Sequence, residues 1–201
     1  MCASMVINTI NVGATEMGGG EGQPSVAAET GSTNLLKNGL FADTDGNGEA
    51  DSWNYYHGDY AKASSSVLTD GGVEIACVSN VNERITLYQQ NIATTDMEYI
   101  LTGDVNIATL VSGGNITFKL TATDSSGKTE ALTSDAYNTK GSQSVSKTFT
   151  ITELSDVVKV KLEIIVSNGA TMAVTLNNIS LKGTTTQLEL ITDIRIKCIM
   201  W

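Results

Sequence analysis

Apolar and polar residues alternate along most of the chain with a period of two. Val73, Ile75 and Cys77 share one face of the run 73–78. Tyr99, Leu101, Gly103, Val105 and Ile107 do the same in 98–108, as do Ile116, Phe118, Leu120 and Ala122 in 115–123. In 157–167, Val158, Val160, Leu162 and Ile164 oppose Lys159, Lys161 and Glu163. Such alternation predicts half-buried strands, and no segment shows a helical period. Further strands are predicted over 34–41, 52–57, 60–68, 84–92, 143–151 and 171–182. The facing of 84–92 stays open: either Ile85, Leu87 and Gln89 point inward, or Tyr88, Gln90 and Ile92 do. Turn signals at Thr69-Asp70-Gly71-Gly72, Ser112-Gly113-Gly114, Asp124-Ser125-Ser126-Gly127 and Asn168-Gly169 separate the strands. Many short strands with regular turns predict an all-β fold, an antiparallel β-sandwich or jelly roll.

The two ends depart from this pattern. Residues 1–33 contain Gly18, Gly19, Gly20, Gly22 and Pro24 and read as an arm with a glycine-rich linker, with a short strand over 5–12. Residues 184–201 carry Leu188, Leu190, Ile194, Ile196 and Cys198 at nearly alternate positions. Standing free, such a segment is an aggregation-prone edge strand. Two readings follow: the tail pairs with the N-terminal arm or with another chain, the arms ordering on neighbouring protein subunits, or it adds a strand to the same sandwich. The expected organisation is an N-terminal arm (1–33), a sandwich (34–183) and a C-terminal tail (184–201).

Composition narrows the function. The chain has 201 residues, 41% of them apolar, enough for one β domain with a packed core. Its net charge of −10 repels phosphate backbones, so no nucleic-acid partner is expected. No run is long enough to span a membrane, so no membrane insertion is expected. The three cysteines, Cys2, Cys77 and Cys198, have neither zinc nor redox spacing; Cys77 reads as a core residue. No signal peptide is visible in MCASMVINTINVG, which points to a virion surface or to an extracellular setting reached in another way.

Candidate chemistry concentrates in 34–60. Asp43, Asp45, Asn47 and Asp51 stand in the pattern D-x-D-G-N-G-x-x-D. This spacing can aim several oxygens at one Ca²⁺, with the Glu49 carbonyl as a further donor. An EF-hand would place a bidentate Glu at the twelfth position of that loop, which is Asn54, and would need flanking helices. The alternative to a structural calcium site is a metal-free turn built by Asx and Gly residues. The aromatic candidates for a sugar platform are Trp53, Tyr55, Tyr56, Tyr60, Tyr88 and Tyr137, with Gln89 or Gln90, Asn91 and Arg84 to bond hydroxyl groups. Against this, Trp53 and Tyr99 read as core residues, as large aromatics usually are. On strand parity Tyr55 goes with Trp53, and Tyr56 faces away. The chain has a single histidine, His57, and lacks a nucleophile or phosphate-loop motif, so a non-enzyme is expected.

Three stretches together resemble the family 4/9/16/22 group of carbohydrate-binding modules, which are jelly rolls. They are Asn34-Leu35-Leu36-Lys37-Asn38-Gly39-Leu40-Phe41 with Trp53; Leu87-Tyr88-Gln89-Gln90-Asn91-Ile92 followed by Glu98-Tyr99-Ile100-Leu101-Thr102-Gly103; and Leu176-Asn177-Asn178-Ile179-Ser180-Leu181. In that group the positions after the phenylalanine and in the closing strand help hold a structural calcium. Here Ala42 and Asn177-Asn178 replace the usual acidic residues. The resemblance thus implies that the acidic loop supplies the charge and Asn177 or Asn178 a further ligand. Combined with the arms, it suggests a non-catalytic surface module of a phage virion, as a decoration, head-fibre or tail protein that adsorbs to glycans such as neutral polysaccharide. The alternative is a carbohydrate-binding module of a secreted polysaccharide-degrading system.

Overall fold

Ten strands and no helix make up the secondary structure of the computed structural model, which describes residues 33–57, 63–77, 84–111, 113–167 and 171–184. They are β1 (Asn54–His57), β2 (Ala63–Val67), β3 (Val73–Cys77), β4 (Arg84–Ala93), β5 (Glu98–Leu110), β6 (Asn115–Thr123), β7 (Thr129–Thr133), β8 (Gly141–Thr150), β9 (Lys159–Ser167) and β10 (Met172–Gly183). All pairings are antiparallel. One sheet runs β1-β4-β9-β6-β7 and the other β2-β3-β10-β5-β8. The two sheets form a jelly-roll sandwich, as the period-two pattern predicts.

The inner faces carry the predicted residues. Ile75, Tyr99, Leu101, Ile116, Phe118, Leu120, Leu162 and Ile164 are fully buried, and Cys77 lies on the core side of β3. Their removal from water is the main driving force for closing the sheets. β4 settles its facing in favour of Ile85, Leu87 and Gln89. A bulge then shifts the register between Gln89 and Ile92, with Asn91 at φ 57°. The extra residue returns Ile92 to the core side, where it packs. Both facings therefore had apolar support in the sequence.

Three expectations are corrected. Residues 34–41 form a looped segment rather than a strand. Asn38 and Phe41 have positive φ (52° and 58°), which breaks the extended run, and Leu36 and Phe41 still enter the core. Val158 precedes β9 and is exposed, while Val157 is buried in its place. The short strand β7 has no counterpart among the predicted elements; its sequence, TEALT, has too few apolar residues to announce it. The Asn168-Gly169 turn, the strand over 5–12 and the arms, apart from Thr33 and Thr184, lie outside the described residues.

The looped segment is fastened to β10. Leu35 N–H donates to Leu181 O (2.8 Å) and Ile179 N–H to Gly39 O (3.0 Å). Asn34 Oδ1 accepts from Leu36 N–H (3.1 Å) and Leu181 N–H (2.9 Å). The N-L-L-x-N-G-x-F stretch and the closing L-N-N-I-S-L stretch are thus two halves of one junction.

Candidate functional site

The outer face of the β1-β4-β9-β6-β7 sheet carries a shallow groove of about 310 Å³, lined by Tyr56, Thr86, Tyr88, Lys119, Lys161, Glu163 and Ile165. Strand register explains this grouping. Tyr56 stands opposite Thr86, and Thr86 opposite Ile165. Tyr88 stands opposite Glu163, and Glu163 opposite Lys119. These residues hold outward parity, alternating with core residues on the same strands.

Tyr56 is 50% exposed. Tyr88 is held in place: Lys161 Nζ lies 4.5 Å from its ring centroid, a cation–π contact. Lys161 also pairs with Glu163 at 2.8 Å, and Lys119 reaches the same carboxylate at 3.5 Å. Burial works to raise the Glu163 pKa, but the hydrogen bond and charge of Lys161, with those of Lys119, outweigh it and hold the carboxyl below its usual range. The groove thus has aromatic rings on one side and a fixed ion cluster on the other.

The structure separates the other predicted platform residues. Trp53 is only 6% exposed; it stacks on Phe41 at 4.8 Å, and its Nε1–H donates to Asn38 O (2.9 Å). It is a core residue, its size favouring burial over display. Tyr55 packs against the core, and its hydroxyl accepts Ala50 N–H (2.9 Å). Burial pushes its pKa up, with the Glu49 and Asp43 charges adding to the effect. Tyr137 meets Phe118 edge-on at 5.8 Å, away from the groove. Gln89 is 5% exposed: its Oε1 accepts Lys37 N–H (3.0 Å) and its Nε2–H donates to Lys37 O (2.6 Å). It is a clamp between β4 and the looped segment, with no amide edge turned to a ligand. Gln90 is exposed beside the bulge, and Tyr60 lies outside the described residues. Of the predicted platform, Tyr56 and Tyr88 line the groove. Strand parity sets Tyr56 on the face opposite Trp53. Since Trp53 belongs to the core, that same parity signal places Tyr56 outside.

The acidic loop is a dense turn network. Asp43 accepts Gly46 N–H (2.7 Å) and Gly48 N–H (2.8 Å). Asp45 accepts Asn47 N–H (3.1 Å), and Asn47 Oδ1 accepts Glu49 N–H (2.7 Å). Asp51 accepts the Thr44 N–H and hydroxyl. The Gly48 N–H, first, then that of Gly46, holds the Asp43 carboxyl below its ordinary range despite some desolvation. Backbone donors therefore offset much of the carboxylate repulsion. Oxygens of Asp43, Asp45 and Asp51 lie within 4.8 Å of one another, a spread that one Ca²⁺ with bonds of about 2.3–2.6 Å can bridge. Asn177 lies on β10, where its Oδ1 accepts Asn178 N–H (2.8 Å), and it lines a separate cleft with Asp104 and Asn106.

No protein-family model and no curated protein matches the chain in sequence. Solved structures match in fold. The enzymatically active domain of bacteriophage CBA120 tailspike protein 4 aligns at TM-score 0.56 and 10% identity over 75% of this chain, which spans only 21% of that one. A family 61 carbohydrate-binding module in complex with β-1,4-galactotriose aligns at TM-score 0.50 and 13% identity, covering 76% of this chain and 100% of that one. The family 22 xylan-binding domain from Paenibacillus barcinonensis aligns at TM-score 0.51 and 12% identity, covering 77% and 97%. The chain has the jelly-roll β-sandwich fold found in carbohydrate-binding modules.

Proposed function

We propose that this domain is a non-catalytic glycan-binding surface module, and that a sugar chain lies in the groove beside Tyr56 and Tyr88. The carrying observation is the pairing of two outward tyrosines with a polar floor on one sheet face. Pyranose C–H faces stack on such rings, while Lys119 and Glu163 offer hydrogen bonds to hydroxyl groups. The two carbohydrate-binding neighbours, described with galactotriose and as xylan-binding, set the first probes. In affinity electrophoresis, Tyr88→Ala should weaken retention by galactan or xylan about tenfold or more, as loss of a central aromatic contact does. Tyr137→Ala should leave it unchanged. Equal retention of Tyr88→Ala and wild type would remove this reading.

The setting we propose is a phage virion surface, as a decoration, head-fibre or tail protein, with 1–33 and 184–201 meeting neighbouring subunits. The fold likeness to part of a tailspike protein supports it. The near-complete coverage of the two carbohydrate-binding modules supports the alternative, a module of a secreted polysaccharide-degrading system. Antibody probing of purified particles decides between them.

The acidic loop is proposed as a structural Ca²⁺ site, its three carboxylates meeting a hard cation's preference for oxygen. At about 5 mM Ca²⁺ and the millimolar-to-submillimolar affinity of extracellular modules, the expected stabilisation is about 1–2 kcal/mol, a Tm rise of ~2–8 °C. EDTA should reverse it, and D43N/D51N should abolish it. A Tm indifferent to Ca²⁺ would leave the loop a metal-free turn.

A further inference from the structure

The net charge of −10 is unevenly placed. Among the described residues, the outer face of the β1-β4-β9-β6-β7 sheet presents Lys119, Lys159 and Lys161 against Glu163 alone. The outer face of the other sheet presents Glu74, Glu98 and Asp104 against Lys182. The groove lies on the basic face of an acidic protein.

Inside the groove, two ammonium groups share one carboxylate. Lys161 Nζ is 2.8 Å from Glu163 Oε1, and Lys119 Nζ is 3.5 Å from Oε2. One charge of the two is neutralised and one remains. Both lysines keep about a third of their side-chain surface exposed (38% and 34%), whereas Glu163 keeps 17%. The accessible charge of the groove is therefore positive, and an incoming anion meets the lysines before the glutamate. Hydroxyl groups of an uncharged sugar can accept from these ammonium groups but leave the excess charge uncompensated, whereas a carboxylate forms the stronger charge-assisted bond and neutralises it. We propose that the groove takes an anionic polysaccharide of the uronic-acid class, with ring faces on Tyr88 and Tyr56 and a uronate carboxylate on Lys119 and Lys161. This rests on the glycan-binding reading above. The way the two ammonium groups already hold the Glu163 carboxylate shows the kind of anion that they accommodate. A nucleic acid is the competing polyanion, and the oligothymidylate arm of the test separates it from a uronate.

The test uses the full chain, hexagalacturonate and its methyl ester, which share one backbone and differ in charge. The acid should bind about fivefold or more tightly than the ester at low salt, and the preference should shrink as ionic strength rises. Glu163→Gln removes the competing carboxylate and should widen the acid-to-ester ratio about threefold; Lys119→Gln should narrow it by a similar factor. Equal binding of acid and ester, with loss in Tyr88→Ala, would overturn the anionic proposal and leave the glycan reading standing. Binding of neither would overturn the anionic proposal, and loss of galactan and xylan retention as well would overturn the glycan reading. Tighter binding of a sulfated galactan or of oligothymidylate than of hexagalacturonate would also overturn the uronate assignment.

Discussion

Replacing Gly39 with alanine should destabilise the domain by about 3 kcal/mol or more, a Tm loss of ~6–12 °C. A Cβ at Gly39 would lie 2.0 Å from Ile179 O and 3.3 Å from Asn34 Nδ2. The first is a backbone atom and has no rotamer by which to retreat. Relief requires the looped segment to lift off β10, which stretches the Ile179 N–H to Gly39 O bond and draws Phe41 from its place against Trp53. Overpacking and lost burial then act together. Gly46→Ala gives the contrast: Gly46 has φ +76° with open space around it, so its cost is conformational, about 1 kcal/mol. Urea unfolding of both variants measures the difference. A Gly39→Ala cost at or below that of Gly46→Ala would mean that the junction is looser than the described packing.

The second large effect is at Gln89. Gln89→Leu keeps much of the volume but leaves Lys37 N–H and C=O without the partners at 3.0 Å and 2.6 Å. Buried polar groups stripped of partners cost about 1–3 kcal/mol each. Lys37 is partly open to water, which recovers some of this, so a loss of about 2–3 kcal/mol is expected, or ~4–12 °C in Tm. The adjacent Gln90→Leu changes an exposed side chain and should stay within about 0.5 kcal/mol. The pair of variants separates a clamp from a surface amide: comparable losses at both positions would refute the clamp. Were Gln89 a sugar ligand, its substitution would cost affinity without stability.

These two residues also show where sequence reading reaches its limit. Strands with uninterrupted alternation, such as β3, β5 and β6, were legible because one face meets the core and the other meets water along the whole element. The segment 34–41 has strand-like composition, but Asn38 and Gly39 let it turn, and its apolar residues plug the junction instead of lining a sheet. Gln89 and Gln90 are chemically identical neighbours; only the placement of the bulge assigns one to the inside and one to the outside. The groove was half legible. Tyr88 is legible by its residue type, and Lys161 and Glu163 share a face of β9 by parity, whereas Lys119 of β6 and Tyr88 of β4 join them only through register. The separations between 88, 119 and 163 carry no sign of that. The aromatic cluster drew attention to Trp53 and Tyr55, whose parity makes them core and loop supports. Tyr56, one residue on, is the ring that the groove displays.

The central claim is that sugar binds on the outer face of the β1-β4-β9-β6-β7 sheet. Amide and side-chain NMR shifts during titration with hexagalacturonate or galactotriose test it most directly. The account predicts shifts concentrated at Tyr56, Thr86, Tyr88, Lys161 and Ile165. Shifts concentrated instead at Asp104, Asn106, Ser142 and Asn177, on the opposite sheet, would contradict it.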